Sequence, residues 1–314
     1  MAYEMEETQI PSLHDWAWFG VFREAVNTLS ELALPERWCY KNVDPNYPNP
    51  ILAAYIKYTF YRLMKERKVL CNGQYAAFNT GLVNRFYDPI YALFDKNRNE
   101  GKQEWHFLSF CTAGEGRAGK TLTNNFSLPE RASYFSDPAE LIYDLRAPRP
   151  QLDWRRIVLD NINRIPTAFW ERYTPKDFTL RDVNTLSDKD VYFAKLAFAL
   201  ENDEQTFRAV KSRFTESLEL ALKRVAWDFR TAVPIYNLKR DGLSLLFPLS
   251  LLNDTEIDLA LVIERQERSG LYIGHMVLPL AWAYTDARLI MRPDSDWLQV
   301  EQIASLGFPS DELV

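Results

Sequence analysis

Residues 114–121 read GEGRAGKT. The letters satisfy G-x-x-x-x-G-K-[ST], the spacing with which a phosphate loop turns backbone amides toward phosphate oxygens, reaches the outer phosphates with lysine and binds magnesium through a threonine hydroxyl. Gly114, Gly119, Lys120 and Thr121 fill the fixed positions. If they work in this way, the ligand is ATP or GTP and the cofactor is magnesium. WHFLSF, from Trp105, reads as the strand such a loop needs. The run after the octet, LTNNFSLP, is poor in helix formers and stopped by Pro129, so no helix whose N-terminal dipole could face an anion is predicted there. A plain glycine-rich turn therefore ranks ahead of a small anion-binding nest, and both rank ahead of a nucleoside triphosphatase loop.

A second chemistry lies on the helix predicted from about Ile51 to Lys65. Tyr58, Tyr61, Arg62 and Lys65 recur at i, i+3, i+4 and i+7, so two rings and two cations share the side opposite the apolar stripe Leu52, Ile56, Phe60, Leu63. Such a face suits phosphate contacts with base stacking, although rings buried against another layer are the more usual outcome. Another basic cluster, Lys223 and Arg224 with Arg230, surrounds Trp227, and Arg146 to Arg164 form a further one. Solvated helix faces with internal ion pairs explain such clusters more often than a groove does.

Catalytic constellations are sparse, and no catalytic residue is assigned. His14, His106 and His275 have no metal-ligand spacing, there is no G-x-S-x-G, and Cys39, Cys71 and Cys111 contain no C-x-x-C, so no metal site is expected. Asp254, Glu256 and Asp258 alternate, and Asp294 and Asp296 flank Ser295. Turn capping is the ordinary role for both sets.

The elements that must position these residues follow from periodicity. An amphipathic helix starts at Ser12 and runs to Pro35; the second helix leads into a hairpin whose Asn72-Gly73 turn is of type I′. YALF and WHFLSF extend the hairpin into an antiparallel meander. From Pro138 the signal is helical, including RRIVLD and a long stripe of Phe207, Val210, Phe214, Leu218, Leu222, Val225 and Phe229. GLSLLFPLSLL, IDLALVIERQ and GLYIGHMVL are strands again, and a terminal helix spans roughly Leu280 to Ile290. This order predicts an α+β fold with antiparallel meanders, a helical middle section and a winged-helix-like helix and hairpin near the N-terminus. The expected division is 1–135 and 136–314, either as two domains or as one composite domain.

Of 314 residues, 37 are basic and 43 acidic, a net charge of -6, so any polyanion site must be a local patch. Three cysteines fit a reducing, cytoplasmic setting, and the longest clean apolar run, Leu243 to Leu252, is too short to span a bilayer as a helix. No membrane partner is expected, and a two-fold homodimer is the base-rate assembly.

Several phrases, WCYKN at Trp38, YIKYTFYRL, QYAAFNTGL, LPERASYFSDP, LDNINRIP and TDARLIMRPDSDWL, resemble a bacterial family catalogued as a domain of unknown function, number 3825, from about Trp38 to Leu298. The resemblance implies association with cold-shock or other RNA-binding modules and a role in RNA or nucleotide metabolism; it carries over no catalytic residue. The leading expectation is a protein that binds RNA or another nucleic acid through its basic-aromatic surface. A nucleotide-dependent enzyme using the octet and a divalent metal comes second, and a protein-interaction scaffold without activity third.

Overall fold

The structure, a computed structural model, describes residues 10–42, 44–99, 102–238 and 240–304. Two units divide the chain. One takes the segment up to Tyr134 with Leu238, Arg240 and the stretch from Val300; the other takes Phe135–Asn237 and Asp241–Gln299.

In the first unit the predicted long N-terminal helix is broken in two. α1 (Leu13–Trp16) is capped by Ser12, whose Oγ accepts the Asp15 N–H at 3.2 Å, and gives way to a short strand β1 (Ala17–Trp18); α2 covers Phe22–Leu32. The break falls where Gly20 takes φ +66 and where Ala17 and Trp18 are recruited as an edge strand, so sheet pairing overrides the helical spacing. α3 (Pro50–Lys65) starts on a proline at its first turn and leads into β2 (Leu70–Cys71) and β3 (Tyr75–Val83). Only Gly73 of the connecting turn has positive φ, and Asn72 donates its N–H to the Tyr75 carbonyl at 3.0 Å. The turn therefore centres on Gly73-Gln74 in the II′ pattern rather than on Asn72-Gly73 in the expected I′ pattern.

β4 (Pro89–Lys96) and β5 (Trp105–Thr112) complete a sheet of order β1-β5-β4-β3-β2, antiparallel except for the parallel β1–β5 pair. On one face Trp16, Phe60, Phe78 and Phe94 pack ring against ring, tilted, edge-on or stacked, with neighbouring centroids 5.0–5.6 Å apart. The other face, Ala77, Tyr91, Leu93 and Cys111, is closed by Leu122 of α4 (Gly116–Asn125). The segment expected to be non-helical is thus a helix: Leu122 is completely buried, with Ala118 and Phe126 packed beside it. Burying such side chains, at about 1.5–3 kcal/mol for a large one, outweighs the few tenths per residue by which Thr and Asn disfavour helix.

In the second unit RRIVLD forms a π-helical turn at Arg155–Leu159, followed by a 3₁₀ turn at Ile162–Arg164. β6 (Gln151–Leu152) precedes them and α5 (Thr167–Arg172), α6 (Lys189–Asn202) and α7 (Glu204–Trp227) follow. β7 (Val233–Asn237), β8 (Gly242–Leu249), β9 (Leu259–Arg265) and β10 (Tyr272–Leu278) form a sheet of order β6-β10-β9-β8-β7, with β6 parallel to β10, and α8 (Leu280–Ile290) packs along β7. The stripe of α7, Val210, Phe214, Leu218 and Val225, lies against Phe247, Leu249 and Leu261 of the sheet in one core. Two mixed sheets with segregated helices make the class α+β.

Candidate functional site

The α3 face singled out from sequence is covered. Tyr58 is 6% exposed, Tyr61 is half-buried, and only Lys65 of the four stands out from the surface. Arg62 gives its Nε to the Glu66 carboxylate at 2.7 Å and to the Ser133 carbonyl at 2.9 Å. Lys68 donates to the Arg131 carbonyl and the Ser133 hydroxyl, and the Ser133 N–H donates back to Glu66. The chain at 129–133 therefore straps the basic side of this helix, with Pro129 held by the Asn79 amide. Here the cations serve as structural fasteners, and Tyr58 has no open face for a base.

Lys223 and Arg224 lie in the other unit, on α7. Arg224 donates to the Ser250 hydroxyl at 3.2 Å and to the Asp254 carbonyl at 2.9 Å, while Arg213 donates to the Leu251 and Ser250 carbonyls and pairs with Asp254. Lys223 is exposed, near a Trp227 that is 92% exposed. Of the carboxylates that follow β8, Asp258 is the turn cap, accepting the N–H groups of Leu251 and Leu252 at 2.6 and 2.9 Å, while Asp254 pairs with Arg213 and Glu256 accepts from the Asn253 side-chain amide. Asp258→Ala should cost about 2 kcal/mol by leaving those donors without their acceptor, read as a lowered urea midpoint at unchanged slope.

The octet occupies one end of the first sheet. Gly114 and Gly116 take φ +77 and +58 to reverse the chain after β5, and α4 then begins at Gly116, so Lys120 and Thr121 are already one turn inside the helix. A phosphate loop keeps the stretch before its lysine as open backbone. Here Gly114 N–H goes to the Gly119 carbonyl, Gly119 N–H to the Glu115 carbonyl, and the Thr121 hydroxyl back-bonds the Arg117 carbonyl at 2.9 Å. The amides of Gly116, Arg117 and Ala118 meet no acceptor among the described residues, which leaves the ordinary free donors of a helix start. Of the four octet residues named from sequence, Lys120 is exposed, Gly119 is buried against β5, and Thr121 is committed to its own helix.

What surrounds this helix start was not singled out from sequence. The β3–β4 connection is a tight tip in which the Asn84 side-chain oxygen accepts the N–H groups of Phe86 and Asp88 at 2.8 and 3.0 Å. Tyr87 is held at φ +67, a conformation that a bulky residue adopts only under constraint. The tip leaves Phe86 67% and Tyr87 74% exposed, with the Arg85 guanidinium 4.7 Å from the Phe86 ring centre. Large aromatics in a turn between Asn84 and Asp88 were the available signal, since turns ordinarily take small polar residues.

Because β3 ends, β4 begins and β5 ends on the same side of the sheet, this tip and the α4 start share one edge. Between them lies a cleft of about 490 Å³, floored by Ile90 and Phe110 and walled by Asn84, Thr112, Glu115 and Arg117. Arg85, Arg117 and Lys120 have no carboxylate partner among the described residues, whereas Arg62, Arg149, Arg155, Arg208 and Arg213 all do. A larger hollow of about 950 Å³, between α6 and the start of α7, holds none of the residues named from sequence.

Thiolate chemistry is disfavoured: burial pushes the thiols of Cys111, beside the cleft, and Cys71 up to about 11. His106 pairs with Asp95 at 3.0 Å, and burial lowers His14. Among the described residues no group of three or more His, Cys, Asp or Glu could hold a metal ion, and no helix is long and apolar enough to cross a membrane.

The family model for a domain of unknown function, DUF3825, matches residues 29–297, and the chain belongs to that family. No curated protein and no solved structure matches it.

Proposed function

We propose that this member of the DUF3825 family binds single-stranded nucleic acid at the α4 edge of its first sheet. The observation that carries the reading is a cleft lined by Arg117, which has no carboxylate partner among the described residues, with exposed Arg85, Phe86 and Tyr87 directly following the lining residue Asn84 along the chain and exposed Lys120 three residues beyond Arg117 on α4. Arg117 and the free amides of α4 suit phosphate, with exposed Lys120 one turn further along the helix; Arg85, 4.7 Å from the Phe86 ring centre, extends the basic surface to the tip; Phe86 and Tyr87 offer exposed rings to successive bases. The negative net charge does not oppose this, because a strand within a Debye length of about 10 Å senses the local cations first. The association with RNA-binding modules implied by the family resemblance points the same way.

Fluorescence anisotropy with a labelled single-stranded RNA tests the reading. Replacing Arg85, Arg117 and Lys120 together by alanine should weaken binding at least tenfold and flatten the log–log salt dependence by about 2, at roughly 0.7 per lost phosphate contact. Phe86→Ala should cost about 1–3 kcal/mol of affinity while leaving the salt slope unchanged. Equal affinity of the triple variant and the parent overturns the reading.

A further inference from the structure

We infer that the base held in this cleft is guanine, and that Glu115 is the residue that selects it; the inference rests on the nucleic-acid reading of the same cleft. Glu115 is the one carboxylate among the lining residues, and a carboxylate in a polyanion site requires an explanation, since it repels the strand the site attracts. One of its oxygens is held at the cleft wall: the Thr112 hydroxyl, also in that wall, donates to Glu115 Oε2 at 2.6 Å.

Asn84 and Ser109 spend their polar atoms within the protein, the Asn84 amide nitrogen donating to Asp88, whereas Glu115 has only one oxygen on Thr112. The Asn84 oxygen is filled by two amides of the tip, and the Ser109 hydroxyl donates to the Phe110 carbonyl at 2.8 Å. The charged groups left to meet a ligand are Arg117, which only donates, and Glu115, which when ionised only accepts. Arg117 and the α4 amides suit phosphate. The carboxylate must then face donors on the ligand, which lie on a base or sugar.

Among the four bases, guanine alone carries two adjacent donors, N1–H and N2–H, on its Watson–Crick edge. Adenine and cytosine set an amino group beside a ring-nitrogen lone pair, and uracil sets its one N–H between two carbonyl oxygens, so each brings a lone pair against the carboxylate. Exposed base edges of this kind are what proteins read in unpaired strands. A cleft of about 490 Å³ lies within the range of small-ligand sites, so it suits one nucleotide, with neighbouring bases left to the Phe86–Tyr87 tip.

The shared ligand chemistry is a guanine bearing phosphate, and it has two sources, a free guanine nucleotide or a guanine within a strand. The test measures anisotropy of the full chain with oligouridylates of about eight nucleotides, an adequate site length, carrying a single central G, inosine, A or C. The G strand should bind about tenfold or more tighter than the A, C and all-U strands, with inosine, which lacks the N2 amino group, losing most of that gain. Glu115→Gln should erase the preference for G and, by removing a charge that repels the strand, tighten binding of the all-U strand. Competition with GMP assigns the source: displacement of the G strand by GMP and not by AMP supports a free nucleotide, and failure of GMP to displace it supports a guanine within a strand. Equal binding of all sequences, or a preference that survives Glu115→Gln, overturns the role of Glu115 and leaves the nucleic-acid reading standing. Absence of binding to every strand overturns that reading itself.

Discussion

Gly119→Ala should destabilise the first unit by about 3 kcal/mol or more, although alanine is the better helix former by about 1 kcal/mol. The reason is distance. A methyl group at Gly119 would sit 2.1 Å from the Thr112 carbonyl oxygen and 3.1 and 3.3 Å from the Gly114 backbone. Ordinary van der Waals contact begins near 3.4 Å, and these neighbours are main chain, which cannot swing aside as a flexible side chain can. Gly119 has no positive φ, so the need for glycine here comes from close approach alone. Relief would require α4 to lift from β5, withdrawing Leu122 from Tyr91, Leu93 and Cys111 and carrying Arg117 away from the cleft. Urea denaturation should therefore show a lowered midpoint for Gly119→Ala, and the proposed RNA binding should be lost in parallel. Lys120→Ala, at an exposed position, should stay within about 0.5 kcal/mol of the parent. Equal stability of Gly119→Ala and the parent would show that the helix does not approach the strand this closely.

The same contact explains why GEGRAGKT reads as a phosphate loop. Gly114 and Gly116 serve the reversal after β5, and Gly119 serves the helix-on-strand approach, so the letters coincide because both structures need a strand, a sharp turn and a tightly packed helix. From sequence, the strand before the octet is legible and the helix after it is not. Thr121, Thr123, Asn124 and Asn125 argue against helix locally, and the residues that stabilise it, Tyr91 and Leu93, come from a strand some thirty positions earlier. Distance along the chain also hid the fate of the α3 face. Its period was readable, but the strap at Arg131 and Ser133 that occupies Arg62 and Lys68 lies more than sixty residues away. β2 to β5, β8 to β10, α7 and α8 were legible because the apolar run or stripe that each buries is contained within the element, whereas the two-residue strands β1 and β6 and the short β7 carry too little pattern of their own. The Phe86–Tyr87 tip was missed for the opposite reason: a short turn has no period, and only its unusual composition marked it.

Asp286→Asn should raise stability above that of the parent near pH 8 and leave it nearly unchanged near pH 4. Asp286 lies on α8, one turn beyond Trp282, whose ring stands 5.2 Å from the Arg164 guanidinium; Arg164 also donates to the Val277 carbonyl at 3.2 Å. Burial pushes the Asp286 carboxyl up to about 7, and the Arg164 charge, pulling the other way, does not restore the ordinary range. The folded chain therefore holds this proton over an interval, from about 4 to about 7, in which the unfolded chain has released it. Stability falls as pH rises through that interval and is level above it, at up to about 1.4 kcal/mol per pH unit and about 4 kcal/mol in all. The side chain keeps partial contact with water, which holds the measured loss below that figure. Asparagine carries no proton to lose, so the variant's stability should not follow the parent's decline through this interval, as denaturant titrations at pH 5, 6, 7 and 8 would show, within the range of about 5 to 8 where proteins are ordinarily most stable. If Arg164 instead formed an effective ion pair with an ionised Asp286, the sign would reverse, and Asp286→Asn would destabilise the chain most at pH 8. Direction alone thus separates a carboxyl held neutral by burial from one held charged by its arginine.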